Sequence, residues 1–232
     1  MSAGPGPFAT LRAGPFRAVI FDMDGVLVDS EPAFLEAVNQ VLAEEGRSIG
    51  FERYQRLLGT SVSVTWRGVL EMVGLPADDL QSYVERYEEA LLETLGRPRP
   101  LLAGVEALIR ELRGRQVPIG LATSSRQAWV EALLLGGVGL PLDTFDAVVW
   151  RQMVAKSKPA PDLYLKAAHL LAVQPERCVA VEDTPAGIAS AKAAGMYAVQ
   201  VRAASTAFPP IEDADLVIDT LEHFPMAVVE TD

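Results

Sequence analysis

Apolar positions along the chain change their spacing repeatedly, and the changes predict alternating strands and helices. Ala18, Val19, Ile20 and Phe21 form an unbroken apolar run with β-branched members, the pattern of a strand buried on both faces. Val117–Ala122, Ala147–Val149, Cys178–Val181, Tyr197–Val201 and Leu216–Ile218 predict further strands. Between them apolar residues recur at helical spacing. One such set is Val105, Leu108, Ile109 and Leu112, and a second is Trp129, Val130, Leu133 and Leu134. A third is Leu163, Tyr164, Ala167, Leu170 and Leu171, and a fourth runs from Ile188 to Ala194. Strands alternating with helices predict an α/β fold, a parallel sheet covered on both faces. Gly136, Gly137 and Gly139 follow no strand, so they predict a helix end and a loop rather than a dinucleotide-binding turn.

One interval breaks the alternation. From Ser30 to Pro98 the spacing is helical throughout, far beyond the ~2–6 residues of an ordinary βα loop. Phe34, Leu35, Val38, Val41 and Leu42 predict a first helix, with Ser30 as its N-cap and Pro32 in its first turn. Leu57-Leu58-Gly59 reads as a helix stop. Val64, Val69, Leu70 and Val73 predict a helix closed by Gly74, and Leu80 to Leu95 a longer one. Arg97-Pro98-Arg99-Pro100 reads as a stiff return linker. The interval holds twelve acidic residues and six arginines, which we assign mainly to solvated helix faces. The expected organisation is a flexible extension over 1–15, a core from 16–29 and 99–232, and an inserted all-helical module over 30–98.

Composition narrows the function classes. Half of the 232 residues are hydrophobic, yet no apolar run approaches the ~20 residues of a membrane span. The first 15 residues lack the apolar segment of a signal peptide. A net charge of −11 disfavours a nucleic-acid partner, which needs a basic face. The single cysteine, Cys178, lies in an apolar strand pattern and fits a reducing compartment. The expectation is a cytoplasmic monomer with no membrane and no nucleic-acid partner. Lysines occur only at 156, 158, 166 and 192 and histidines only at 169 and 223, so residues 1–155 contain neither.

Polar groups gather where the predicted strands end. The first strand runs into Asp22 and Asp24, with Gly25 allowing a sharp turn. A second ends in Thr123-Ser124-Ser125, a later one in Glu182-Asp183, and Lys158 lies in the proline-flanked loop between them. Thr123 and Ser125 also stand where they would cap the following helix. In open parallel sheets ligands bind at the carboxyl ends of strands. Two carboxylates close together need a proton or a cation between them, and magnesium prefers oxygen ligands. Carboxylates, hydroxyl donors and one ammonium at one edge suit phosphoryl transfer. His169, His223, Trp66, Trp129 and Trp150 read as structural or solvated residues.

DMDGVLVDS at 22–30, ATSS at 122–125, SKPAPD at 157–162 and VEDTPAG at 181–187 resemble, in order, the four motifs of the haloacid dehalogenase superfamily. The resemblance spans about Arg17 to Val201 and is nearest to the subgroup of phosphoglycolate phosphatases and β-phosphoglucomutases. It implies a Rossmann-like parallel-sheet core with an inserted all-helical cap domain that moves, and Mg2+ as cofactor. It implies that Asp22 is the nucleophile, forming an aspartyl-phosphate, and Asp24 the general acid and base. Asp22, the Asp24 carbonyl and Asp183 would hold magnesium with Glu182 beside it. Thr123, Ser124 and Lys158 would bind the phosphoryl group of a small phosphorylated metabolite. Ser157 stands where phosphatase members of the family usually have glycine.

Other classes remain open at this point. A haloacid dehalogenase would not need Asp24. A phospho-aspartate receiver domain has no such helical insertion. A member that only binds a partner would not need four intact motifs. Within the family, β-phosphoglucomutases carry a histidine where Phe34 stands and an arginine where Val62 follows Gly59-Thr60-Ser61, and they carry a cap lysine. Phosphonoacetaldehyde hydrolases need a cap lysine too, and this interval has none. Hydrolysis of a phosphate monoester is therefore the expected reaction, with Arg53, Arg56 or Arg67 as candidate anchors in the insertion.

Overall fold

The computed structural model describes residues 16–205 and 208–229. The expected extension over 1–15 lies outside them.

In chain order the elements are strand β1 (Ala18–Phe21), then helices α1 (Glu31–Ala43), α2 (Phe51–Tyr54), α3 (Val62–Val73), α4 (Leu80–Leu95) and α5 (Val105–Gly114). There follow β2 (Ile119–Ala122), α6 (Gln127–Glu131), β3 (Ala147–Val149), α7 (Asp162–Leu170), β4 (Cys178–Glu182), α8 (Pro185–Ala193), β5 (Tyr197–Val201) and β6 (Leu216–Ile218). The strands form one sheet in the order β3-β2-β1-β4-β5-β6, and every pairing is parallel. β1 is central, with β2 on one side and β4 on the other. The strand order reverses there, which opens a crevice at the carboxyl ends.

Alternation along the strands sorts side chains between two faces. Ala18 and Ile20 of β1 join Ala180 of β4 and pack under Leu163, Tyr164 and Ala167 of α7 and Ile188 and Ala191 of α8. Val19 and Phe21 face the other way with Ile119, Leu121, Val179 and Val181, against Val105, Leu108 and Leu112 of α5. Such fully buried aliphatic side chains contribute about 1.5–3 kcal/mol each. Cys178 is buried in the smaller cluster, as its neighbours implied.

The segment between β1 and α5 is helical, and α1 packs on α4. Trp66 of α3 is fully buried, stacked on Tyr83 at 5.5 Å and edge-on to Tyr87 at 5.7 Å. Phe34 of α1 meets Trp129 of α6 at 6.1 Å, and Arg126 pairs with Glu88 across the same boundary at 2.5 Å. Among the described residues no helix is long and apolar enough to cross a membrane.

Two capping expectations are corrected. Ser30 occupies the N-cap position of α1, with a proline in the first turn, but its side chain does not cap the helix. Thr123 and Ser125 cap nothing either, because α6 begins after Arg126. The hydroxyls of Ser30 and Ser125 have another partner, Asp24.

Candidate active site

β1 ends at Phe21 and delivers Asp22 to the crevice, anchored by its N–H donating to the Val181 carbonyl at 2.9 Å. The chain then turns back on itself. Gly25 adopts φ +75°, and its N–H bonds to the Val28 carbonyl at 2.8 Å. A Cβ at this glycine would fall 2.0 Å from Asp183 Oδ2, so only glycine lets the loop meet the end of β4.

The sequence motifs converge here. Lys158 Nζ lies 2.6 Å from Asp22 Oδ1 and 2.5 Å from Glu182 Oε1. Asp22, Glu182 and Asp183 each offer an oxygen within 4.8 Å of the others. Thr123 is fully buried, and its Oγ1 accepts the Ser125 N–H at 3.0 Å, which leaves the hydroxyl proton free to donate. Ser124 is exposed at the rim, its Oγ 2.8 Å from Ser157 Oγ. Ser157, in the position usual for glycine, therefore ties the Lys158 loop to the end of β2.

Asp24 is set apart from the other carboxylates. Its Oδ1 accepts from Ser30 Oγ at 2.5 Å and its Oδ2 from Ser125 Oγ at 2.8 Å. Its side chain therefore does not join the triad of Asp22, Glu182 and Asp183. Sequence reasoning gave Ser30 and Ser125 the wrong task. A serine six residues beyond Asp24, in the same turn, was the available signal.

Burial dominates the electrostatics. It pushes the Asp22 carboxyl up to about 7, with Lys158 opposing and Glu182 and Asp24 adding to the rise. Burial also raises Asp24, against the hydrogen bonds from Ser30 and Ser125. Asp183 is raised well above the carboxylate range by burial and then by Glu182 and Asp22. Lys158 is raised, because attraction to Asp22 and Glu182 outweighs the cost of burying its charge. Four carboxylates thus face one ammonium. Asp183 Oδ1 is buried without a hydrogen-bond partner, an acceptor that fits a hard cation. The donor set, carboxylate oxygens beside an excess of negative charge, fits magnesium.

Residues that the sequence did not single out complete the site. Tyr164 Oη donates to Glu182 Oε1 at 2.7 Å, and the Asp183 N–H donates to Oε2 at 3.2 Å. A Cβ at Gly187 would lie 1.9 Å from the Glu182 carboxylate. His169 and His223 are exposed. Of the candidate anchors in the insertion, Arg53 donates to the Met72 carbonyl, while Arg56 and Arg67 are exposed.

Comparison with known proteins finds relatives along most of the chain. A family model described as haloacid dehalogenase-like hydrolase matches residues 16–195. The chain is 36% identical over 193 residues to the fructose-1-phosphate phosphatase YqaB of Escherichia coli, covering 81% of this chain and 97% of YqaB. It is 34% identical over 209 residues to a β-phosphoglucomutase of Bacillus subtilis, covering 87% and 88% of the two chains. It spans only 19% of one much longer plant relative, to which it is 32% identical. A crystal structure of CbbY from Rhodobacter sphaeroides in complex with phosphate superposes with a TM-score of 0.79 at 27% identity, over 90% of this chain and 96% of that one.

Proposed function

The chain belongs to the haloacid dehalogenase-like hydrolases and is a phosphatase-type enzyme of that family, and from that premise we propose that it hydrolyses a small phosphate monoester through an aspartyl-phosphate on Asp22. The observation that carries this reading is the pairing of Asp22 with Lys158 at 2.6 Å beside Asp183 and Glu182. Lys158 holds Oδ1 of Asp22, which leaves Oδ2 to attack phosphorus. As that bond forms, the ester P–O bond breaks, and Asp24 delivers a proton to the departing oxygen. Burial raises its affinity for that proton, while the hydroxyls of Ser30 and Ser125 stabilise the carboxylate left once the proton is given up. Water then attacks phosphorus, Asp24 takes the water proton, and the Asp22 carboxylate is regenerated with release of phosphate.

Thr123, the Ser124 amide and Lys158 stabilise charge on the phosphoryl oxygens. Asp22, Asp183 and the Asp24 carbonyl would hold Mg2+, with Glu182 adjacent. The ion supplies positive charge that offsets the carboxylates and the phosphate. The segment over 30–98 acts as a cap that excludes water, hinged near Asp29-Ser30 and Arg97-Pro98. The candidate substrates are sugar phosphates and phosphoglycolate-like esters.

Hydrolysis is favoured over isomerisation by Phe34 and Val62, which stand where a mutase has cationic anchors, and by Arg53, which is spent on Met72 within the insertion. A screen of small phosphate monoesters with magnesium tests this reading. Phosphate should be released from at least one ester, and a strong chelator should abolish the release. Efficient conversion of β-glucose 1-phosphate with trace 1,6-bisphosphate to glucose 6-phosphate, without free phosphate, would contradict it.

A further inference from the structure

Tyr164 sits on α7, on the face that seals the sheet, and its side chain is fully buried. Most of its surroundings are the small apolar residues of that cluster. A phenylalanine would satisfy them, yet a hydroxyl is present. That hydroxyl donates to Glu182 Oε1 at 2.7 Å, the same atom that contacts Lys158 Nζ at 2.5 Å. The ring lies under the ammonium as well, its centroid 5.2 Å from Nζ, within the range of a cation–π contact. The other oxygen of Glu182 is held by the Asp183 N–H at 3.2 Å and Thr184 Oγ1 at 3.4 Å. Gly187 makes room for this carboxylate beside α8, since a Cβ there would fall 1.9 Å from it.

Resting on the phosphatase reading above, we propose that Tyr164 is a positioning residue that aims Lys158 at Asp22 through Glu182. Tyr164 touches neither the substrate nor the nucleophile. It fixes one lone pair of Glu182 and supplies a π face, so that the ammonium has a single place between two carboxylates. A lysine stem is otherwise flexible and has many rotamers. Fixing its head group beforehand favours charge stabilisation in the transition state, which costs no reorganisation when the groups are already in place. The expected signature is in turnover rather than in substrate binding, because the cap and the leaving group are untouched.

The test compares the full chain with Tyr164→Phe, Glu182→Gln and the double variant, using magnesium and the best monoester from the screen. The parent chain comes first: without turnover in it the phosphatase reading itself fails, whatever Tyr164 does. Given parent activity, Tyr164→Phe should lower kcat roughly tenfold, about 1.4 kcal/mol, with KM within about twofold. In the Glu182→Gln background, removing the phenol should cost less than about twofold, because residues acting through one another are not additive. Should the phenylalanine variant fail to fold, a fluorinated tyrosine at 164 keeps the shape and changes the donor strength, and kcat should still change. Overturning results are an unaltered kcat in Tyr164→Phe, an unaltered kcat with the fluorinated residue, or the same fold-loss in both backgrounds, which marks packing alone.

Discussion

The sheet edge and the helical insertion solve opposite problems. At the sheet edge, the side chains of Asp22, Lys158 and Glu182 are buried and paired with one another. Glu182 is fully buried and still accepts from Lys158 and Tyr164 on one oxygen and from Asp183 N–H on the other. In the insertion, most of what is buried is aromatic and aliphatic, including Trp66, Tyr83, Tyr87 and Leu91. Apart from Glu31, its charges lie mainly toward solvent, in pairs such as Arg86 with Glu44 and Arg97 with Glu93. Exposed pairs of that kind contribute about 0–1 kcal/mol, so the insertion is held by packing. The edge, by contrast, is held in a geometry that only its own charged network specifies. The buried charged network thus lies at the sheet edge, and the insertion contributes a packed apolar interior.

The sharpest way to break this contrast is Asp22→Asn. The amide is nearly isosteric but cannot attack phosphorus, so kcat should fall by several orders of magnitude with the melting temperature little changed. Near-normal turnover would remove the sheet edge from the reaction.

Next in size is Trp66→Ala. Emptying that site should cost about 3–5 kcal/mol, concentrated in the insertion. Hydrogen exchange should lose protection across α1 to α4 and keep it in β1 and β4. Equal loss in both regions would mean that insertion and core form one cooperative unit.

The smallest effect concerns the boundary between them. Glu31, at the start of α1, is pushed from 4.5 up to about 8 by burial and then by Asp24 and Asp29, and its Oε2 is buried without a partner. Folding raises its affinity for the proton, so its contribution to stability is complete below about pH 4.5 and is lost as pH rises through about 8. Glu31→Gln should therefore melt several degrees above the parent at pH 9 and close to it at pH 4 to 5. A difference that does not vary with pH would show that Glu31 is not buried as a carboxyl.

Sequence reasoning reached the strands because a buried parallel strand is an unbroken apolar run, and Ala18–Phe21 and Cys178–Val181 admit few other readings. It reached Asp22, Asp24, Thr123, Ser124, Glu182 and Asp183 because polar groups at strand ends stand out against such runs, and Lys158 because it lies in a proline-flanked loop between them. The structure brings these residues to one edge. Hydroxyls were harder, since a serine before a helix looks like a cap. Ser30 and Ser125 are instead spent on Asp24, a partner that only the tertiary fold supplies. Tyr164 read as one apolar position on a helix, because periodicity registers its ring and not its hydroxyl. Glu31 stands in the first turn of α1, a favourable place for an acid by local rules. Its cost comes first from burial and then from Asp24 and Asp29, which local rules do not see.

The most direct test is to catch the covalent intermediate. The parent chain is mixed with magnesium and a turned-over monoester, quenched in acid within the first turnover, digested and analysed by peptide mass. The peptide containing Asp22 should gain the mass of one phosphoryl group, lose it on standing in water, and never gain it in Asp22→Asn. A phosphoryl group on any other residue, or turnover with no labelled peptide at any quench time, would contradict Asp22 as the nucleophile.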